Sequence, residues 1–183
     1  MLRNQKRGDG DKIQVILVTL FLTAAVCSDL YCWKIRNEII FAGLALALLY
    51  VLKTGFFMQG LAGFILALLV LWPLFTIRVL GAGDTKVLAV LGIFYGYQKI
   101  LPLIFASFLF GAILSIVKLI RYRNLTLRVQ YLFHYVKECM KTKQYKKYYV
   151  AKRDGTSMVI HFSIAILLAH VGFLFGLFGK GVF

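Results

Sequence analysis

An all-α membrane protein is the fold class this sequence predicts: six transmembrane helices with a basic cytoplasmic loop between the fifth and sixth, within one domain over residues 1–183. Three observations predict it. Hydrophobic residues make up 61% of the chain and the mean hydropathy is +0.81, far more apolar surface than one soluble core has to bury. The apolar residues gather into runs near the ~20 that a helix needs to cross a hydrocarbon layer of ~30 Å. Lysine and arginine crowd into one long polar connection between the last two runs.

The first helix is predicted over Ile13 to Trp33. Arg3, Lys6, Arg7 and Lys12 precede it as in a signal peptide, but Val26, just before Cys27, is too large for a cleavage site, and further spans follow at once. The segment is therefore read as retained, behind a polar tail. The second helix, Glu38 to Lys53, opens behind Asn37, where the Asn side chain and the Glu38 carboxylate are expected to satisfy the free amides of a helix start. The third runs from Met58 to Arg78. The fourth, Thr85 to Tyr97, is too short to span unaided: the apolar stretch between Lys86 and Gln98 makes roughly 16 Å of helix, about half the hydrocarbon thickness. Either the bilayer thins there or the leading loop dips into a protein-lined, wet cavity. Lys99 to Ile120 and Ser157 to Phe178 complete the set. Gly92 with Gly96, and Gly172 with Gly176, have the spacing that lets helix backbones approach closely.

The connection over residues 121–157 carries Leu125, Val129, Leu132, Phe133, Val136 and Met140 at helical spacing, with Arg128, Lys137 and Lys141 largely elsewhere around the axis. That pattern predicts a basic amphipathic helix on the membrane surface, drawn to anionic lipid. The net charge of +15 is explained by this loop and by topology, so no nucleic-acid partner is expected. With the N-terminus outside, most of the 22 basic residues fall inside, as the positive-inside rule favours. The three cysteines lack CxxC spacing, so neither a disulfide framework nor a zinc site is encoded.

Only seven acidic residues exist, and each can be placed. Asp9 and Asp11 belong to the tail, Glu138 and Asp154 sit among lysines in the loop, and Glu38 opens a helix. Asp29 ends a long apolar run, where a charge is costly. Asp84 closes Gly81-Ala82-Gly83-Asp84, a loop whose glycines permit a sharp turn just before the short helix. In the predicted topology both aspartates lie near the cytoplasmic face. Two neighbouring carboxylates cannot both ionise cheaply, so one keeps a proton while the other accepts one from water. The pair is thus suited to hydrolysis, with neither aspartate assigned permanently as acid or base.

Three segments resemble the type IV prepilin peptidases, membrane aspartic proteases with a GxGD signature, and especially their short Tad/CpaA-like form. Ser28-Asp29-Leu30 through Lys34-Ile35-Arg36-Asn37 is similar to the family's first aspartate and its Ile-Pro-Asn turn. Gly81-Ala82-Gly83-Asp84-Thr85-Lys86 matches the second signature. Ile160-His161-Phe162-Ser163 resembles the Ile-Pro-Phe-Gly start of the last helix. Arg36 and His161 stand where the family usually has proline.

The resemblance implies an aspartic endopeptidase of a bacterial cytoplasmic membrane. It would remove leader peptides from prepilins or pseudopilins at the cytoplasmic face, with Asp29 and Asp84 catalytic and Gly81, Gly83 and Lys86 supporting the catalytic loop. It also implies no cofactor or metal, and no methylation by the cysteine-rich domain of longer members. Lys86 is expected to anchor the loop or neutralise charge. His161 and His170, nine residues apart on one helix, are expected on opposite faces, with His161 read as a satisfied interfacial histidine ahead of the alternative that it tunes the dyad or contacts substrate. The competing readings are a proton-coupled transporter using the two acids as stations, and a non-catalytic subunit of a secretion or pilus machine.

Overall fold

The computed structural model describes residues 2–121 and 161–176. Five helices are found there and no strand: α1 (Leu2–Cys32), α2 (Asn37–Thr54), α3 (Phe57–Thr76), α4 (Ala82–Arg121) and α5 (Phe162–Leu174). Among the described residues four segments are long and apolar enough to cross a membrane: Lys12–Cys32, Asn37–Thr54, Phe57–Thr76 and Ala82–Lys118. The chain is a multi-pass membrane protein. It divides into two compact units, one of Met1–Gly111 with His161–Phe183 and one of Ala112–Ile160. The amphipathic stretch predicted within 121–157 lies, beyond Arg121, outside the described residues, as does the start of the predicted last span before His161.

Two element boundaries differ from expectation. The first helix begins at Leu2, not Ile13, so the polar tail continues the helix; no proline interrupts it there. The fourth and fifth predicted segments form one hydrogen-bonded run, α4, broken at Gly96. That residue adopts φ 68° and ψ 176°, a conformation that costs a side-chain-bearing residue dearly. The break falls close to the predicted boundary between Tyr97 and Lys99.

Residues 87–96 of α4 are buried without interruption, so this short arm is wrapped by protein and not by lipid. A short helix with an irregular end is tolerated at membrane depth under that condition. Its neighbours approach closely: a Cβ on Gly92 would stand 2.5 Å from the Gly63 carbonyl oxygen of α3, and one on Gly96 would meet the Phe56 ring at 3.0 Å. Gly92 and Gly96 therefore both lie close against α3, as their spacing leads one to expect, since a Cβ on Gly63 would stand 2.7 Å from the Gly96 carbonyl carbon, and Gly96 is also the break. Gly176, at φ 67° and with nothing among the described residues within 4 Å of a Cβ built on it, closes α5, while Gly172 is buried within that helix.

A broken helix leaves carbonyls without amide partners. Gln14 of α1, buried, donates Nε2–H to the Phe94 carbonyl at 2.7 Å, and Tyr50 of α2 donates its hydroxyl to Gln14 Oε1 at 3.2 Å. A second buried network ties α1, α4 and α5. Thr19 donates its single hydroxyl proton to the Val15 carbonyl at 2.7 Å. It can then only accept from His170 Nε2, 2.9 Å away. The remaining nitrogen, Nδ1, accepts from the Tyr95 hydroxyl at 2.5 Å. His170, fully buried, thereby ties α5 to α1 and α4 and serves packing.

The helix ends gather at two poles. At one, α2 closes on Gly55, φ 71°, with Phe56 N–H returning to the Val51 carbonyl at 3.1 Å, and Phe56 meets the Gly96 break. At the other lie the ends of α1 and α3 and the starts of α2, α4 and α5. Both helices that end at this pole stop on a left-handed residue that is not glycine: Trp33 at φ 54° and Arg78 at φ 59°. Arg78 closes a Schellman turn, its N–H on the Phe75 carbonyl at 3.0 Å and Val79 N–H on the Leu74 carbonyl at 3.0 Å.

Candidate functional site

Asp29 lies in the last turn of α1, and the turn after it is folded by its neighbour. Ser28 donates Oγ–H to the Lys34 carbonyl at 3.1 Å and accepts Arg36 N–H at 3.2 Å. This loop buries Ile35 at 4% exposure, making it a platform for the chain that carries the second acid. A Cβ on Gly83 would stand 3.3 Å from Ile35 Cβ, so glycine there lets the start of α4 rest on the platform. Lys86 Nζ donates to Asn37 Oδ1 at 3.0 Å, fastening α4 to α2.

Asp84 lies inside the first turn of α4 and not in a loop ahead of it, because the helix already begins at Ala82. Gly81 is the residue before that start, and its carbonyl accepts Thr85 N–H at 3.1 Å and the Thr85 hydroxyl at 3.0 Å. A Cβ on Gly81 would come within 3.1 Å of Asp84 Oδ2. The glycine thus leaves room for the carboxylate to lie over its own helix start. Asp29 is close enough to act electrostatically on Asp84. The fold therefore brings Asp29, Asp84, Gly81, Gly83 and Lys86 to one pole of the bundle.

Two further sequence expectations, for Asn37 and His161, are corrected here, while Glu38 stands in the first turn of α2 as expected. Asn37 does not cap α2: the capping position is Arg36, without a side-chain cap bond, and the Asn37 side chain instead receives Lys86. Glu38 pairs with Arg36, Nε to Oε2 at 2.6 Å, both largely exposed, which contributes little to stability. His161 is not within the last helix but directly before it, at the capping position of α5. It approaches Asp29, with Nδ1 3.1 Å from Oδ2, and is not merely interfacial.

Ser163, which sequence reasoning did not single out as a site residue, donates its hydroxyl to the same Oδ2 at 2.6 Å. Trp33 holds His161 in place, ring centroids 4.9 Å apart. The clue in the sequence is position: both residues open the last apolar run, at the depth of the two acids. Among the described residues, no three His, Cys, Asp or Glu side chains converge to hold a metal ion.

The arrangement is two carboxylates on separate helix ends, partly shielded, with hydroxyl and imidazole donors on one of them. Residues 16–116 match the family model described as the type IV leader peptidase family. The chain belongs to that family. No curated protein and no solved structure matches the chain significantly. The match takes in both aspartates and both segments of the resemblance that surround them, while His161 and Ser163 lie beyond its end. This leader-peptidase family member is a protease by that membership.

Proposed function

We propose that the chain is an aspartic endopeptidase that removes the leader peptide from a type IV prepilin or pseudopilin at the cytoplasmic face of a bacterial membrane. The observation that carries the reading is the position of Asp29 and Asp84 at one pole, on helix ends far apart in sequence, with Asp29 close enough to act electrostatically on Asp84. The family supplies the reaction class, and the pair supplies its chemistry. One carboxylate takes a proton from water as the water oxygen bonds to the peptide carbonyl carbon. The other gives its proton to the carbonyl oxygen. In the second half the C–N bond breaks, the nitrogen takes the proton from the first aspartate, and the second regains one from the collapsing diol. No metal or cofactor enters this cycle.

Six spans fit this reading. The break at Gly96 makes α4 two consecutive apolar arms, and the apolar run that contains α5 supplies the last. In this reading Asp84, in the first turn of the wrapped arm of α4, works at the lip of the membrane, where a pilin's apolar helix meets its polar leader. Anionic lipid around the basic stretch over 121–157 would hold that face at the membrane surface.

The test is co-expression of a prepilin with the full chain and with Asp29→Asn or Asp84→Asn versions shown to insert normally. Leader removal is expected with the unaltered chain and its loss, by a factor of about 1,000 or more, in each variant. Processing at the normal rate by either variant would end the reading.

A further inference from the structure

An aspartate does not aim its own carboxylate. The torsion that sets the plane of its two oxygens is broad, whereas a reacting group has to be held within about 0.5 Å and 10–20° of its working geometry. In this fold the hold on Asp29 comes from the start of α5. Ser163, only 1% exposed, donates its hydroxyl to Asp29 Oδ2 at 2.6 Å, and His161 Nδ1 stands 3.1 Å from the same oxygen. Polar residues at a helix start ordinarily serve that helix by bonding to its free amides. These two are turned elsewhere: His161 occupies the capping position of α5 without a side-chain cap bond, and the Ser163 hydroxyl proton goes to Asp29.

The two groups are themselves fixed. Phe162, between them, packs on Phe108 of α4 with ring centroids 5.2 Å apart, and a Cβ on Gly111 would meet the Phe162 ring at 2.9 Å. His161 lies against Trp33, ring centroids 4.9 Å apart, and Trp33 takes the left-handed φ of 54° just beyond the end of α1. The second arm of α4 thus seats the start of α5, and the start of α5 seats Asp29, while Asp84 stands on the first arm.

We infer that Ser163 and His161 are positioning residues, which set the plane of the Asp29 carboxylate and so its alignment with the water it shares with Asp84. Ser163, being buried, acts through Asp29 and not on substrate. The inference rests on the dyad reading and deepens it, and it holds whichever of the two aspartates carries the proton at the outset.

The experiment measures kcat and KM for leader cleavage of a prepilin, with a basic leader ahead of its apolar helix, by the full chain in proteoliposomes, with rates counted per folded molecule. Ser163→Ala and His161→Phe should each lower kcat by about 10- to 100-fold, as a misplaced reacting group does, and leave KM within about twofold, because aligning the acid acts on the transition state and not on binding. His161→Phe keeps a ring against Trp33 and removes the nitrogen. His161→Asn loses the ring but keeps an amide nitrogen near the place of Nδ1, and should return most of the lost kcat. A role in packing alone reverses that order, with Asn the worse variant. The reversed order, a raised KM with kcat kept, or an unchanged kcat overturns the assignment. Should Ser163→Ala fail to insert, the contrast of His161→Phe with His161→Asn decides. Full cleavage by Asp29→Asn or Asp84→Asn would overturn the dyad itself, whereas inactivity of both with unaltered kcat in Ser163→Ala and His161→Phe would overturn the positioning alone.

Discussion

At the residue scale the site rests on two glycines with different duties. Gly81 leaves space for the Asp84 carboxylate, since a Cβ would stand 3.1 Å from Oδ2, and Gly83 lets α4 lie on Ile35. Gly81→Ala should insert and fold, because the crowding falls on a movable side chain, yet cleave the leader about tenfold more slowly, as a displaced reacting group does. Gly83→Leu should be worse in both accumulation and cleavage, because Ile35 is buried and cannot retreat. Lys86→Met removes an exposed bond to Asn37 and should cost less than about 1 kcal/mol in unfolding experiments in detergent. As candidates, Asp29 is legible in the sequence because an acid at the end of an apolar run has no inexpensive explanation, and Asp84 because it closes a glycine-bearing turn before a short apolar helix. His161 and Ser163 are not: a serine at the start of a membrane helix reads as an ordinary small polar residue, and its partner lies 134 residues away.

At the scale of elements the molecule is organised around the first arm of α4. Its burial from residue 87 to 96 requires glycine contacts on α3 and a polar partner for the break. Gln14→Leu would leave the Phe94 carbonyl unpaired in an apolar surround, at a cost of about 1–3 kcal/mol; the unfolding midpoint in detergent checks this, with Tyr50→Phe expected to cost less because Gln14 would keep its bond to Phe94. Gly63→Leu should lower stability by about 1–3 kcal/mol or prevent assembly, since its neighbour is backbone. The apolar runs are legible from length and composition alone. The continuity of α4 across Gly96 is not, since hydropathy reports burial without distinguishing lipid from protein, and a glycine break shows the same residue as a packing contact. The helical start at Ala82 is likewise hidden, because Gly81-Ala82-Gly83 reads as a loop until Gly83 is seen to rest on Ile35.

At the scale of the whole molecule the helix ends sort into two poles, and both aspartates, with their supports, fall on one of them. Family membership over residues 16–116 gives the class of reaction, and the basic balance of the chain sets the expected side as the cytoplasmic one. The most direct test of this arrangement is accessibility mapping with a membrane-impermeant thiol reagent, using Asp29→Cys and Asp84→Cys in a background without Cys27, Cys32 and Cys139. Both positions should react only when the reagent is admitted to the cytoplasmic side. Labelling of the two from opposite sides of the bilayer would contradict a shared hydrolytic centre.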